Sequence, residues 1–233
     1  KIANNQIDVI ALQEIGSKEA LIELASQLDG AYQYYFVEGM IERHIHYGLL
    51  VKADLPFTIS IHTNRSLIFP RDLPIAILEH NGKPVMGLAV VHYKSKKVRP
   101  GDHDQAGQRH EQITSSPLLF QRLFESFGRI FPVAMAGDFN SDLNSDSDFM
   151  PLWNFGLSNA FDLTTTPSPM SARVTNTFYG GKDVVIPQQL DGILLDGILG
   201  SQVLSSVVVK DADRAASDHD MVVVELNLSN VTF

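Results

Sequence analysis

The sequence predicts one α+β domain built on stacked sheets, and three observations carry that reading. A strand-like apolar run is followed at once by an amphipathic helical pattern. The middle of the chain alternates apolar runs with hairpin punctuation, and the later apolar runs border small polar clusters. In order, residues 5–12 read as a buried strand. Residues 17–28, with Ala20, Leu21, Leu24, Ala25 and Leu28 at helical spacing, read as a helix closed by Asp29-Gly30. Residues 32–38, 47–52, 75–79 and 85–91 read as strands, and Asn81-Gly82 between the last two is a hairpin signal. Residues 94–104 are basic and unpatterned, an expected loop. Residues 105–129 carry helical spacing and lead to a strand over 131–136, and strands over 189–195 and 221–226 follow a polar stretch from Thr164 to Thr177. No repeat or linker cuts the chain, so residues 1–233 are expected to form a single domain.

Composition narrows the function classes. At 233 residues, with 44% hydrophobic and 19% charged residues, the chain can bury a sizeable core. No run approaches the roughly 18 apolar residues of a membrane span, and the first residues lack the apolar segment of a signal peptide. The expectation is a soluble monomer, with cytoplasmic and secreted or periplasmic locations both open. Cysteine is absent, which excludes disulfides and thiolate metal sites. A net charge of -9 disfavours broad adhesion to nucleic acid or anionic membrane, although it leaves room for a local basic patch.

The chemistry-bearing residues stand at the ends of apolar runs. Glu14 follows Leu12-Gln13, where a buried strand breaks toward the surface, a natural place for a metal-binding carboxylate; a solvated Glu before a helix is the plainer alternative. Asp138 and Asn140, in Gly137-Asp138-Phe139-Asn140, alternate after a strand and so share a side, unless they merely cap a turn. His92 ends a strand and is either a packed histidine or a functional one. Ser217-Asp218-His219 differs in kind, because adjacent ionisable residues before a buried strand are seldom needed for packing. Asp191, in Gln189-Leu190-Asp191-Gly192-Ile193-Leu194-Leu195, is either a solvated residue at a strand start or a carboxylate embedded in an apolar strand that needs a partner to offset its desolvation; His219 is then the candidate, oriented and made more basic as in a catalytic triad. Asp142, Asn144, Asp146 and Asp148 superficially resemble a calcium loop, but Ser147 stands where glycine is needed and Trp153 where the bidentate Glu belongs, which rejects an EF-hand. Lys94, Lys96, Lys97 and Arg99 read as a solvated basic loop or a phosphate-attracting group.

Taken in order, Leu12-Gln13-Glu14, Val91-His92-Tyr93-Lys94-Ser95, Gly137-Asp138-Phe139-Asn140, Leu190-Asp191-Gly192-Ile193-Leu194 and Ser217-Asp218-His219 resemble the signature set of the endonuclease/exonuclease/phosphatase superfamily, with its deoxyribonuclease I-like fold. The resemblance spans nearly the whole chain. It implies an α/β four-layer sandwich, two mixed sheets packed face to face with helices outside, and Mg²⁺- or Mn²⁺-dependent hydrolysis of phosphate esters. It further implies Glu14 as principal metal ligand, Asp138 with Asn140 positioning water and phosphate, Asp218 at the metal or phosphate, Asp191 supporting His219 as general base, and His92 at the scissile phosphate. Arg71 resembles the family's phosphate-binding arginine and Tyr47 a substrate contact. Family members normally open with a further strand carrying an Asn some tens of residues before the Glu, and thirteen residues precede Glu14 here. The expectation is therefore a chain truncated or processed at its N-terminus, or a site short of one member. Nucleic acid, phospholipid and small phosphoester substrates all stay open. A rival reading is a catalytically impaired binding module that retains the fold.

Overall fold

The computed structural model describes residues 7–28, 31–95, 105–179, 185–210 and 217–230, with the side chains of residues 42, 178, 179 and 230 outside that description. The basic residues Lys96, Lys97 and Arg99 and the segment preceding Ile7 lie outside it. The chain divides into two compact units with the boundary between His92 and Tyr93.

In the first unit, β1 (Val9–Ile15), β2 (Tyr32–Met40) and β3 (Ile45–Lys52) form an antiparallel sheet in the order β1-β3-β2. Helix α1 (Lys18–Gln27) starts where the Ser17 hydroxyl accepts from the Ala20 backbone N–H at 3.2 Å, the side-chain cap that the Ser17 position promises. Its apolar stripe delivers Leu21 and Ala25 to a cluster with Ile10 and Leu50. Gly48 of β3 makes room for that contact: a Cβ there would lie 2.7 Å from Leu21 Cδ1. Leu21 is fully buried, so Leu21→Ala is expected to cost about 2–5 kcal/mol of stability, read from a urea melt; a loss under about 1 kcal/mol would show that the site collapses freely. Strands β4 (Thr58–His62), β5 (Ile75–His80) and β6 (Lys83–His92) follow, and β5 pairs antiparallel with both neighbours. Asn81 and Gly82 adopt φ of 51° and 72°, so the expected hairpin forms through two left-handed residues, a turn whose twist matches its strands. Near-continuous burial along β3, β5 and β6 reflects packing on both strand faces.

In the second unit, α2 (Gln105–Phe127) is the long helix that the spacing predicts, and Gly128 follows it at φ 63°. Strand β7 (Val133–Asp138) leads to α3 (Met150–Phe155) and the short β8 (Ser158–Asn159). The hairpin strands β9 (Asn176–Tyr179) and β10 (Val185–Gln188) precede β11 (Asp191–Leu195), which lies between β7 and β8 and is antiparallel to both. Helix α4 (Gly197–Gly200) connects to β12 (Val203–Val209), which pairs antiparallel with β13 (Met221–Leu226). The patterning did not announce β4, the β9–β10 pair or β12. The first and last are half-buried and the hairpin arm is largely exposed, so none needs a continuous apolar run. Among the described residues, no helix is long and apolar enough to cross a membrane.

Candidate active site

The second unit places two carboxylates directly opposite each other. Asp138 ends β7, Asp191 begins β11, and the two are register partners, followed by the pair Gly137 and Gly192. Like charges facing each other across a ladder repel, so such a pair persists only when other groups compensate. Asn140 supplies part of this: its backbone N–H donates to Asp138 Oδ1 and its side-chain Nδ2 to Asp138 Oδ2, both at 2.7 Å. Asn140 Nδ2 also donates to the Tyr93 carbonyl at 3.0 Å. Both partners are pure acceptors, so the amide orientation follows from the bonding. Simple strand alternation does not produce this proximity. Asn140 sits at φ 52°, and the left-handed turn folds its amide back onto Asp138. Gly192 leaves room for Leu143, whose Cδ1 would lie 2.4 Å from a Cβ at that position.

His219 supplies the rest. Its Nδ1 lies 2.7 Å from Asp191 Oδ2, the geometry in which an imidazole N–H donates to an orienting carboxylate. Burial pulls the His219 pKa down, but the hydrogen bond to Asp191 and the charges of Asp191, Asp138 and Asp218 outweigh it and raise it from 6.5 to about 9. Ser217 Oγ accepts from the His219 backbone N–H at 3.0 Å. Asp218 is exposed, and its carbonyl accepts from Asn176 Nδ2 at 3.3 Å. Asp220, directly after His219, is buried and pairs with Lys210 at 3.0 Å. Asp220, Lys210 and the buried Thr175 support this segment and went unnoticed in the sequence; the signal for Asp220 was its place between His219 and an apolar strand, where an acid needs a partner.

The first unit brings Glu14 and His92 together. Leu12 pairs with Gly48 and Ile15 with His46, so Gln13 and Glu14 both oppose Tyr47 in a β-bulge. Glu14 has φ 57°, a backbone state that costs energy for a residue with a Cβ, and its side chain is 68% exposed. Thus β1 does not end before Glu14, as its pattern suggests; it bulges there and re-aims the carboxylate. His92, at the end of β6, is buried, with Nε2 3.6 Å from Glu14 Oε1. A second bulge, between Val37 and Met40, sits at the same end of the sheet. Tyr47 is 1% exposed and its hydroxyl donates to the Asp72 carbonyl at 3.0 Å, while the adjacent Arg71 is 6% exposed. Both are buried, as is His92. Asp72 is itself strained, at φ 77°, and its buried carboxylate accepts from the Asn64 and Leu73 N–H groups at 2.6 Å.

The donor set fits a hard divalent cation. Among the described residues, Asp138, Asp191 and His219 present ligand atoms within 4.8 Å of one another, an acidic group able to hold a metal. In the structure those atoms already bond among themselves and to Asn140, an arrangement suited to moving a proton. Glu14 offers carboxylate oxygens on an exposed side chain, from a left-handed backbone position in the bulge. In the rejected calcium-loop segment, Asp142 Oδ1 accepts from the Asn144 and Gln189 backbone N–H groups and Asp146 Oδ1 from that of Asp148, so these acids cap turns.

Solved structures of other proteins share the fold. A mannosyl-6-phosphatase from Bacteroides thetaiotaomicron is similar at 19% identity and TM-score 0.68, over 97% of this chain and 87% of that one. The APE2 catalytic domain of Xenopus laevis is similar at 14% identity and TM-score 0.70, over 97% and 85%. The 3′ phosphatase NExo from Neisseria, bound to product DNA hairpin, is similar at 15% identity and TM-score 0.65, over 97% and 91%. No curated protein sequence matches the chain. These structures share the fold, an α/β sandwich of the deoxyribonuclease I-like type. Members of the matching family are phosphoester hydrolases and are generally dependent on a divalent metal. With the family model for Endonuclease/Exonuclease/phosphatase proteins matching residues 1–219, the chain belongs to the endonuclease/exonuclease/phosphatase family.

Proposed function

We propose that this chain hydrolyses a phosphodiester or phosphomonoester by attack of water, with His219 as general base and Asp191 as its orienting partner. The observation that carries the reading is the 2.7 Å bond between His219 Nδ1 and Asp191 Oδ2, formed opposite Asp138. With Nδ1 committed to Asp191, Nε2 is the ring nitrogen left to accept a proton from water. Asp138 and Asn140 position the water and the phosphate, and His92 contacts the phosphate and protonates the leaving oxygen. Glu14 and Asp218 are the oxygen donors that would hold Mg²⁺ or Mn²⁺, which when bound would supply positive charge to offset that developing on the phosphate oxygens. Tyr47 and Arg71 are the proposed substrate contacts; Tyr47 lies opposite the bulge at Glu14, and its hydroxyl is held by the backbone beside Arg71. A net charge of -9 favours a small or locally docked ester over an extended nucleic acid. Plasmid DNA, a phosphoinositide, sphingomyelin and a bis-phosphodiester, each assayed with and without EDTA, test the activity and rank the substrates.

Metal binding has its own test. A cation that binds only the folded state at about 100 times its Kd adds about 2.7 kcal/mol of stability. Thermal melts titrated with Mg²⁺ or Mn²⁺ are expected to show that stabilisation in wild type and its loss in Glu14→Ala. Equal stabilisation of both proteins removes Glu14 from the metal site, and a response in neither favours a binding module that kept the fold.

A further inference from the structure

The Asp191 and His219 side chains meet although 28 positions separate them, and one buried residue outside the motif set touches the backbone of both segments. Thr175 is 0% exposed. Its Oγ1 accepts from the backbone N–H groups of Leu190 and Asp191, both at 3.0 Å. Its own N–H donates to the Gln188 carbonyl at 3.0 Å, and its carbonyl accepts from the Asp220 N–H at 2.9 Å. Side chain and main chain of a single residue thus grip the start of β11, where Asp191 stands, and the residue directly after His219. Its neighbours reinforce the grip. Lys210 Nζ donates to the Val174 carbonyl and to Asp220 Oδ2, and Asn176 Nδ2 donates to the Asp218 carbonyl.

From this we infer that Thr175 is a positioning residue that sets the separation of Asp191 and His219; the inference rests on the role proposed above for that pair. The hydroxyl matters through its acceptor capacity. One oxygen takes two backbone donors in a site that excludes water, and those donors stand on the backbone immediately before the Cα that carries the Asp191 carboxylate. Valine fills almost the same volume and accepts nothing, so Leu190 and Asp191 would have to move their N–H groups toward other partners. Serine keeps the acceptor and loses only a methyl group.

The test compares wild type, Thr175→Val and Thr175→Ser in two readouts. In metal-free, ¹⁵N-labelled protein, the downfield imidazole Nδ1–H resonance of His219 reports its hydrogen bond to Asp191. It is expected in wild type, weakened or moved upfield in Thr175→Val, and restored in Thr175→Ser. With bis-nitrophenyl phosphate and Mg²⁺, kcat is expected to fall about 10- to 100-fold in Thr175→Val with KM within about two-fold, since a small misplacement of a reacting group acts on turnover. Thr175→Ser should recover most of that loss. An unchanged resonance in folded Thr175→Val overturns the inference, as does a serine variant as impaired as the valine one. If the valine variant fails to fold, Thr175→Cys, with a weaker acceptor of similar size, is expected to show a smaller upfield shift, and an unshifted signal there is equally fatal. A resonance that moves in Thr175→Val, together with a wild-type protein that hydrolyses no ester, supports the positioning role while refuting the proposed reaction.

Discussion

Replacing His219 by alanine is expected to lower turnover about 10²- to 10⁴-fold, the range over which general bases contribute, and to leave the fold intact. The size follows from the chemistry. Water attacks phosphorus slowly unless a positioned group takes its proton, and Asp191 already holds the ring through Nδ1. The His219 side chain is 26% exposed, so its removal opens no deep cavity. Steady-state hydrolysis of a phosphodiester, with circular dichroism to verify folding, decides the matter. Near-wild-type turnover in a folded His219→Ala protein would leave the general-base role untenable.

Asp191→Asn should be nearly as damaging, with a loss of up to about 10⁴-fold, because an amide partner can hold the imidazole in the wrong tautomer. It also makes a prediction with a definite sign. Burial lowers the His219 pKa, whereas Asp191 raises it through both a hydrogen bond and its charge, leaving it near 9. Removing that charge leaves burial less opposed, so the acid limb of the pH–rate profile, which tracks loss of the His219 proton, moves to lower pH. Stability shifts with it. Because the folded pKa lies above the unfolded 6.5, the paired imidazolium contributes stability that is full below pH 6.5 and lost as pH rises through about 9. In EDTA, wild-type unfolding free energy should therefore fall across that window and Asp191→Asn should be flatter. Parallel curves for the two proteins would deny the pairing.

Much of the fold was legible because strands buried on both faces and an amphipathic helix impose strong periodicities. The runs that became β3, β5, β6, β7, β11 and β13, and the stripe of α1, could be read directly. Strand β4 and the β9–β10 hairpin were not, since half-exposed strands have no need of continuous apolar residues. Site residues were legible as types in an order, and only weakly as individuals. Asp138 could equally have capped a turn, and the structure shows that its Asn140 partner does form one, which is also what brings their side chains together. Tyr47 and Arg71 were legible only as types, and the structure adds that both are buried, with the Tyr47 hydroxyl bonded to the backbone beside Arg71.

By itself the sequence determined the chemistry available to this protein: carboxylates, an amide and two histidines at strand ends, no cysteine, and motifs in the order of a phosphoesterase family. Those are properties of residue type and spacing, which the chain carries before it folds. Only the tertiary structure decided which groups pair. It set Asp138 across from Asp191, closed the 2.7 Å bond from Asp191 to His219, bulged β1 so that Glu14 takes a left-handed backbone beside His92, and placed Thr175 against both segments of the His219 pair. The reason is physical. Strand register, a left-handed turn and a buried hydroxyl act between residues far apart in sequence, and their energies exist only once water has been excluded and the backbones are in contact.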